Sequence, residues 1–600
     1  MIVLPTLNRF WIAVPLLAAL AACSDDVVYP PGPETFSFTT EVAEIGTLHG
    51  VVMSSANSAR AVGMNGLSID WDGTLWSDFA TGTATELFGI WAAPGGDIFA
   101  VGRNGLILRD DGSGFAPMTS GTTENLNAVH GTADNNAWLV GNNGVIRYSS
   151  AGTWVEWPSN TSQNLRGVWA ASDTVAFAVG NVGTVLRFDG FSWNPQATPT
   201  AENLRAVFGF AENDVFAVGN TARILHYDGV SWQQMTQPPG ITSRALLGIW
   251  GTANNDVFVC GEGGVMLHYD GVAWTRFTTN IFTTQNFESI SGTASDDVVA
   301  VGSGGTIVRY DGAEWKKEMS DVGATSVYRG IWGTSQNDLF VVGPFAQVLH
   351  REGSAWRFMA GGRPQQLNDV HGTDPANVIA VGDEGLVIRY DGIAWQTMTS
   401  GSTEGLNGVW AASAGEAWAV GNNGTILRLF GGSWNPQVSG TTRALQAVWG
   451  VSASNVYAVG NDGLVLQYDG SAWSEDALLN TIALRGVWGS SANNIYAVGT
   501  GAPGQPNAFR FNGTSWQSES IGTVSSLESV FGVSANDVFV AGLGGRNNNS
   551  FNDAFFNFDG EAWVRSTATT FGSYTDVWAP NGTTVYVIGT GTLVYRGTKG

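Results

Sequence analysis

The sequence predicts an all-β chain of fourteen four-stranded blades, arranged most economically as two seven-bladed β-propellers. Three observations carry this. A Gly closing a short apolar segment recurs at 63, 102, 141, 180, 219, 261, 302, 343, 382, 421, 460, 499, 542 and 589, and eight of the thirteen intervals are 39 residues. A fixed period of this size marks propeller repeats. Each repeat holds four short segments rich in Val, Ile, Phe and Trp, broken by Gly, Asn and Asp, which is strand-and-turn chemistry. Thirteen turn slots recur between the third and fourth segments. Nine carry Asp (72, 111, 189, 228, 270, 311, 391, 469 and 559), and four residues after each slot stands Trp in twelve cases and Phe115 in one.

The elements follow in chain order. Residues 1–22, with Arg9 before an apolar run at 10–22, read as a secretory signal peptide. The run includes Pro15 and falls short of the about 20 residues that a spanning helix needs. It ends Leu20-Ala21-Ala22-Cys23, which resembles the lipobox of bacterial lipoproteins. That resemblance implies cleavage before Cys23 and acylation of its thiol and new amino group, an anchor of several buried chains. Ser24 after the Cys resembles an outer-membrane sorting signal. Residues 23–35 then form a tether with Pro30, Pro31 and Pro33. No later stretch reaches 18 apolar residues, so the expectation is an exported chain held to the membrane only by its lipid, on the periplasmic or extracellular face.

The repeat is clearest at 165–193, where "LRGVW", "VAFAVG", "GTVLRFDG" and a segment opening at Trp193 follow one another. Asp-Gly between the third and fourth suits the positive φ of a hairpin turn, and the Trp is expected to pack between neighbouring sheets. The fourteenth repeat ends at Tyr595-Arg596-Gly597 without a fourth segment, while a strand-like segment at 36–42 stands before the first repeat. That segment is the natural completion of the last blade, and closing the ring removes an exposed sheet edge. The first propeller is expected over 36–323 and the second over 324–600. MTSGTTENLN at 118–127 recurs as MTSGSTEGLN at 398–407, seven repeats later; WNPQ at 193–196 recurs at 434–437, six repeats later, so one large ring stays as the alternative.

Val-Gly, a Gly two to three residues on, "ILRYDG"-like strings and then Trp resemble the BNR or Asp-box repeat, and more closely the bacterial relatives of the photosystem II assembly-factor propellers. Tyr or Phe stands around the turn where the standard box has Ser or Thr. Strings such as Val487-Trp488-Gly489 resemble tectonin-type lectin propellers more faintly. The resemblance implies a fold, and no functional residue is carried over by it.

Composition excludes several classes. A net charge of -24, from 27 Lys or Arg against 51 Asp or Glu, argues against nucleic acid. Two Cys permit no disulfide framework. The six His (49, 130, 226, 268, 350 and 371) lie in different blades without HxH or HxxxH pairing, which argues against a metal site. Arg109, Arg147, Arg187, Arg309, Arg389 and Arg428 share one strand slot and would spread around a ring, so they do not make the cluster a sialidase needs. No catalytic residue, metal or cofactor is expected. The repeat is broken by insertions at 500–507 and 543–553, both between second and third segments and so on one face of adjacent blades. Arg546, Asn547, Asn548, Asn549 and Asp553 in the second supply donors and acceptors for a glycan or a peptide backbone. The expectation is a non-catalytic binding or assembly scaffold for envelope proteins. The alternatives are a surface glycan-binding propeller, for which Trp71, Trp138, Trp157 and Trp418 are the candidate platforms, and, further off, a glycoside-acting enzyme. Trp138 and Trp418 occupy a slot otherwise held by Phe or Tyr, which points to the core.

Overall fold

The computed structural model describes residues 35–599 except 43–45, 151, 279–284, 320–326, 477–481, 502–505, 522–525, 548–549, 567–572 and 590–592. The expected signal, Cys23, nearly all of the tether and the 323/324 boundary lie outside the described residues. The rest is fourteen antiparallel four-stranded blades, numbered here along the chain, with sequential strand order in all but the last.

Two closures divide the blades into two rings. The inner strand of blade 1 (Leu48–Ser55) packs against that of blade 7 (Phe287–Ala294), and the inner strand of blade 8 (Gly330–Ser335) against that of blade 14 (Tyr574–Asn581). Side chains pin both seams. Val51 N donates to Ser289 Oγ at 3.2 Å and Met53 N to Ser291 Oγ at 3.1 Å. In the second ring Ile331 N donates to Asp576 Oδ2 at 2.8 Å, and Thr575 Oγ1 donates to Tyr328 O at 2.6 Å.

The fourth strand of blade 14 is Phe36–Val42, paired antiparallel with Leu593–Lys599 from Phe36↔Lys599 to Val42↔Leu593. Phe36 is 3% exposed and meets Phe539 and Phe555 edge-on at 5.7 and 5.5 Å. This segment therefore belongs to the second ring, not the first, and the whole first ring is threaded between it and the blades it completes. Each blade of the first ring takes all four strands from one continuous stretch. The rings are also joined directly. Outer strand Trp76–Asp78 of blade 1 pairs with Ala355–Gly361 of blade 8 (Ser77↔Ala360, Trp76↔Gly361), making one eight-stranded sheet.

The repeated residues have separate physical causes. The strand-closing Gly sits where the chain entering the blade crosses it: a Cβ on Gly141 would lie 2.3 Å from Asn125 O, and one on Gly382 2.0 Å from Gln366 O. In the following turn Gly105 has φ +74, the left-handed region that suits Gly. At the outer hairpin Asp189 Oδ1 accepts Phe191 N and Ser192 N, both at 2.9 Å, which holds its carboxyl below the usual range. The same bonds recur at Asp228, Asp270, Asp311, Asp391, Asp469 and Asp559. The Trp after each turn reaches the preceding blade. Trp193 meets Trp138 edge-on at 5.1 Å, Trp232 meets Phe177 at 6.1 Å, and Trp473 meets Trp418 at 5.5 Å. Blade-to-blade adhesion is thus aromatic, in the edge-to-face geometry that such rings prefer.

Candidate functional site

The seven inner strands of the second ring enclose a cavity of about 720 Å³ on its axis. One residue per strand builds an aromatic collar around it: Trp332, His371, Trp410, Trp449, Trp488, Phe531 and Trp578. Ring centroids of successive members stand 5.7–6.5 Å apart wherever the pair touches. Three of the indoles lie against a Gly of the next blade; a Cβ on Gly372, Gly450 or Gly532 would fall 2.5–2.7 Å from Trp332, Trp410 or Trp488. The collar is therefore fixed packing, with His371, Trp449 and Phe531 its more open members. His371 Nδ1 accepts Ala411 N at 3.2 Å, and burial pulls its pKa down to about 4, so it is a neutral acceptor. His130 does the same in the first ring, accepting Ala170 N at 3.1 Å.

Two carboxylates replace the small residue usual at one inner-strand position, on the blades either side of blade 8. Asp369 accepts Val370 N and Val409 N, both at 2.8 Å. Burial, and then the charge of Asp576, push it up to about 8. Asp576 accepts Ser529 Oγ at 2.5 Å, Val577 N at 2.9 Å and Ile331 N, and burial pushes it up to about 6. Asp369 Oδ2 ties its blade to the next one, and both oxygens of Asp576 reach neighbouring blades.

The cavity mouth is set by the residue after the first Leu of each inner strand. In six blades this side chain bonds the residue fifteen positions on, at the start of its own blade's turn between second and third strands. Asn127 bonds Asn142, Arg166 Asn181, Arg205 Asn220, Asn368 Asp383, Asn407 Asn422 and Gln446 Asn461, at 2.9–3.4 Å. This fixes the mouth on the face that carries those turns. The insertions at 500–507 and 543–553 leave from the same face, and Leu543, at the base of the second, lines the cavity. Backbone pairing carries that hairpin outward, Arg546 opposite Phe551 and Asn547 opposite Ser550, with Asp553 opposite Leu543. Asn548 and Asn549 lie outside the described residues.

Sequence comparison finds no matching family model and no matching curated protein. Among solved structures the chain is similar to YCF48 bound to D1 peptide, at 17% identity and TM-score 0.39 over 47% of this chain and 96% of that one. It is similar to the GH74 xyloglucanase of Xanthomonas campestris at 13% identity and TM-score 0.41, over 94% of this chain and 100% of that one. The extracellular domain of a one-component system protein from B. thetaiotaomicron aligns at 12% identity and TM-score 0.36, over 94% and 82%. Likeness at this level assigns no activity.

The other candidates resolve into structure. Trp138 and Trp418 are 2% and 0% exposed. Trp157 packs edge-on against Trp138 and Phe188 at 5.5 and 5.4 Å, and Trp71 donates Nε1–H to Ala56 O at 3.2 Å. In several blades the shared Arg and His slot is an intrablade partner for the residue at the start of the second strand. Arg109 pairs with Asp97 at 2.6 Å, Arg309 with Asp297 at 2.6 Å, His226 with Asp214 at 2.7 Å and His350 with Asp338 at 2.6 Å. Cys260 is buried, and burial pushes its thiol far up, away from nucleophilic chemistry. Among the described residues no three His, Cys, Asp or Glu are placed to hold a metal ion.

Proposed function

We propose that this chain is a non-catalytic binding or assembly scaffold of the cell envelope, which recognises a protein partner at the cavity mouth of its second ring. On this reading it is an Asp-box-like lipoprotein: residues 1–22 are its signal, Cys23 its lipid attachment and 23–35 a tether to the outer membrane, with the first propeller ending near 323 and the second formed by 324–600 together with the closing strand Phe36–Val42. The observation that carries the proposal is the axial cavity, walled by all seven inner strands and opening beside the two places where the repeat is interrupted. A rigid collar with variable loops at its rim is the division of labour expected of a recognition site on a repeat scaffold. A non-catalytic role is supported by how the repeated charges are used: turn carboxylates on backbone N–H groups, and slot arginines such as Arg109, Arg309 and Arg428 on acids of their own blades.

The test is binding to peptide and glycan arrays by the purified protein, beside a variant lacking 544–552. Saturable peptide binding that the deletion weakens at least ~10-fold is the expected result. Saturable glycan binding without peptide binding would replace the partner with a surface polysaccharide, and binding indifferent to the deletion would move the site away from this rim.

A further inference from the structure

Among the described residues, the intrablade pairing that defines the cavity mouth fails in both arginine-bearing blades of the second ring. Arg329 of blade 8 and Arg485 of blade 12 occupy the slot that Arg166 and Arg205 fill in the first ring. Fifteen positions on, Arg166 and Arg205 meet Asn181 and Asn220. Fifteen positions after Arg329 stands Pro344, which has no acceptor side chain, and fifteen after Arg485 stands Thr500, where the blade-12 insertion begins and whose Oγ1 is held 2.5 Å from Ser526 Oγ. Among the described residues neither arginine forms an ion pair or a side-chain hydrogen bond, and Arg485 Nε is buried without a partner. Both line the same cavity, from blades three and four steps apart around a ring of seven. Elsewhere Arg60, Arg103, Arg109, Arg309, Arg428 and Arg443 each hold a carboxylate.

We infer that Arg329 and Arg485 form an anion site across the mouth of the second ring, and that its ligand is a single carboxylate presented by a peptide. A guanidinium offers a planar fork that matches a carboxylate and releases water more readily than an ammonium, so a free pair facing one cavity favours that group. The acids at the same mouth limit the ligand's charge. Glu528 on blade 13 accepts Ser526 Oγ, and Asp383 accepts from Asn368. Together with a chain charge of -24 they repel a polyanion such as a polyuronate and leave room for one negative group on an otherwise neutral segment. The inference rests on reading this mouth as the recognition site, and adds the chemistry it selects.

The test titrates the full chain with N-acetyl-alanine, N-acetyl-alaninamide, glucuronate and inorganic phosphate, following Trp fluorescence, for which Trp449 on the collar is the reporter. Saturation by N-acetyl-alanine with a Kd on the order of a few millimolar is expected, weakening with added NaCl. The amide should not saturate. Arg329→Gln, at an exposed position, should weaken binding about 5-fold or more, Arg329→Gln with Arg485→Gln should abolish it, and Arg485→Lys should restore part of what Arg485→Gln loses. Equal binding of acid and amide, unchanged binding in Arg329→Gln, or tighter saturation by phosphate or glucuronate would overturn the assignment. Carboxylate saturation that survives deletion of 544–552, while array binding is lost, would separate this site from the loop; loss of both readouts only in the arginine variants would place all recognition here.

Discussion

Replacing Phe36–Val42 by a glycine–serine stretch of equal length is expected to unfold the second ring while the first stays folded. The replaced strand makes seven cross-strand pairs with Leu593–Lys599 and buries Phe36 between Phe539 and Phe555. Burial of one Phe contributes about 2–3 kcal/mol and each lost ladder bond about 1 kcal/mol, so the loss is roughly 5 kcal/mol or more, comparable with the stability of a whole domain. It also leaves Leu593–Lys599 as an open edge, an invitation to pairing between molecules. The effect falls on the distant ring because the strand, though it precedes blade 1 in sequence, completes blade 14. Limited proteolysis with mass spectrometry reads the outcome: fragments within 330–599 appear early and a core spanning 48–319 persists. Equal digestion of both rings would show that the seam through Trp76–Asp78 and Ala355–Gly361 makes them one cooperative unit.

Trp138→Ala is expected to lower the stability of the first ring by about 4 kcal/mol, the usual cost of emptying a large aromatic site in a core that cannot collapse. Trp138 is 2% exposed and touches Tyr148, Trp157, Phe188 and Trp193, with centroids at 4.5, 5.5, 4.7 and 5.1 Å. It is the point at which blade 3 receives the outer-hairpin Trp of blade 4. Trp138→Phe should cost only about 1 kcal/mol, because Phe177 and Phe216 fill the same slot in blades 4 and 5. Denaturant midpoints measure both variants, and the second-ring transition should not move. A loss below 1 kcal/mol for Trp138→Ala would mean that adhesion between blades does not depend on this contact.

Most of the fold was legible because each signature residue answers to a local cause repeated from blade to blade. The strand-closing Gly marks a backbone crossing, the turn Asp caps two N–H groups, and the Trp four residues later seals one blade to the one before it. The missing fourth strand at 595–597 pointed to the segment at 36–42 as its completion. The seam between the rings left no trace in the sequence, since Ser77↔Ala360 and Trp76↔Gly361 are backbone pairings without a side-chain pattern. The candidate site was legible only at its rim. The insertions at 500–507 and 543–553 stood out as breaks in period, but the axial cavity beside them is a property of ring closure. Arg329 and Arg485 were missed because their signal is an absence, Pro344 and Thr500 where six other blades put Asn or Asp. That absence has meaning only once residues fifteen apart are known to touch. Asp369 and Asp576 interrupt a run of Gly, Ala and Ser in their slot, a departure readable in the sequence but easily lost beside the nine turn Asp residues.

The arrangement of two rings, with the second fastened by a strand that precedes the first, is tested most directly by a disulfide between positions 37 and 598. Ser37 and Thr598 face each other across the closing pair, their hydroxyl oxygens 3.5 Å apart. Ser37→Cys with Thr598→Cys should oxidise within one chain in nearly all molecules, seen as a single linked peptide pair by mass spectrometry, because the native backbone already brings the two side chains within bonding reach. Absence of that link in folded protein, or its formation only between two chains, would contradict the closure on which this reading of the second ring depends.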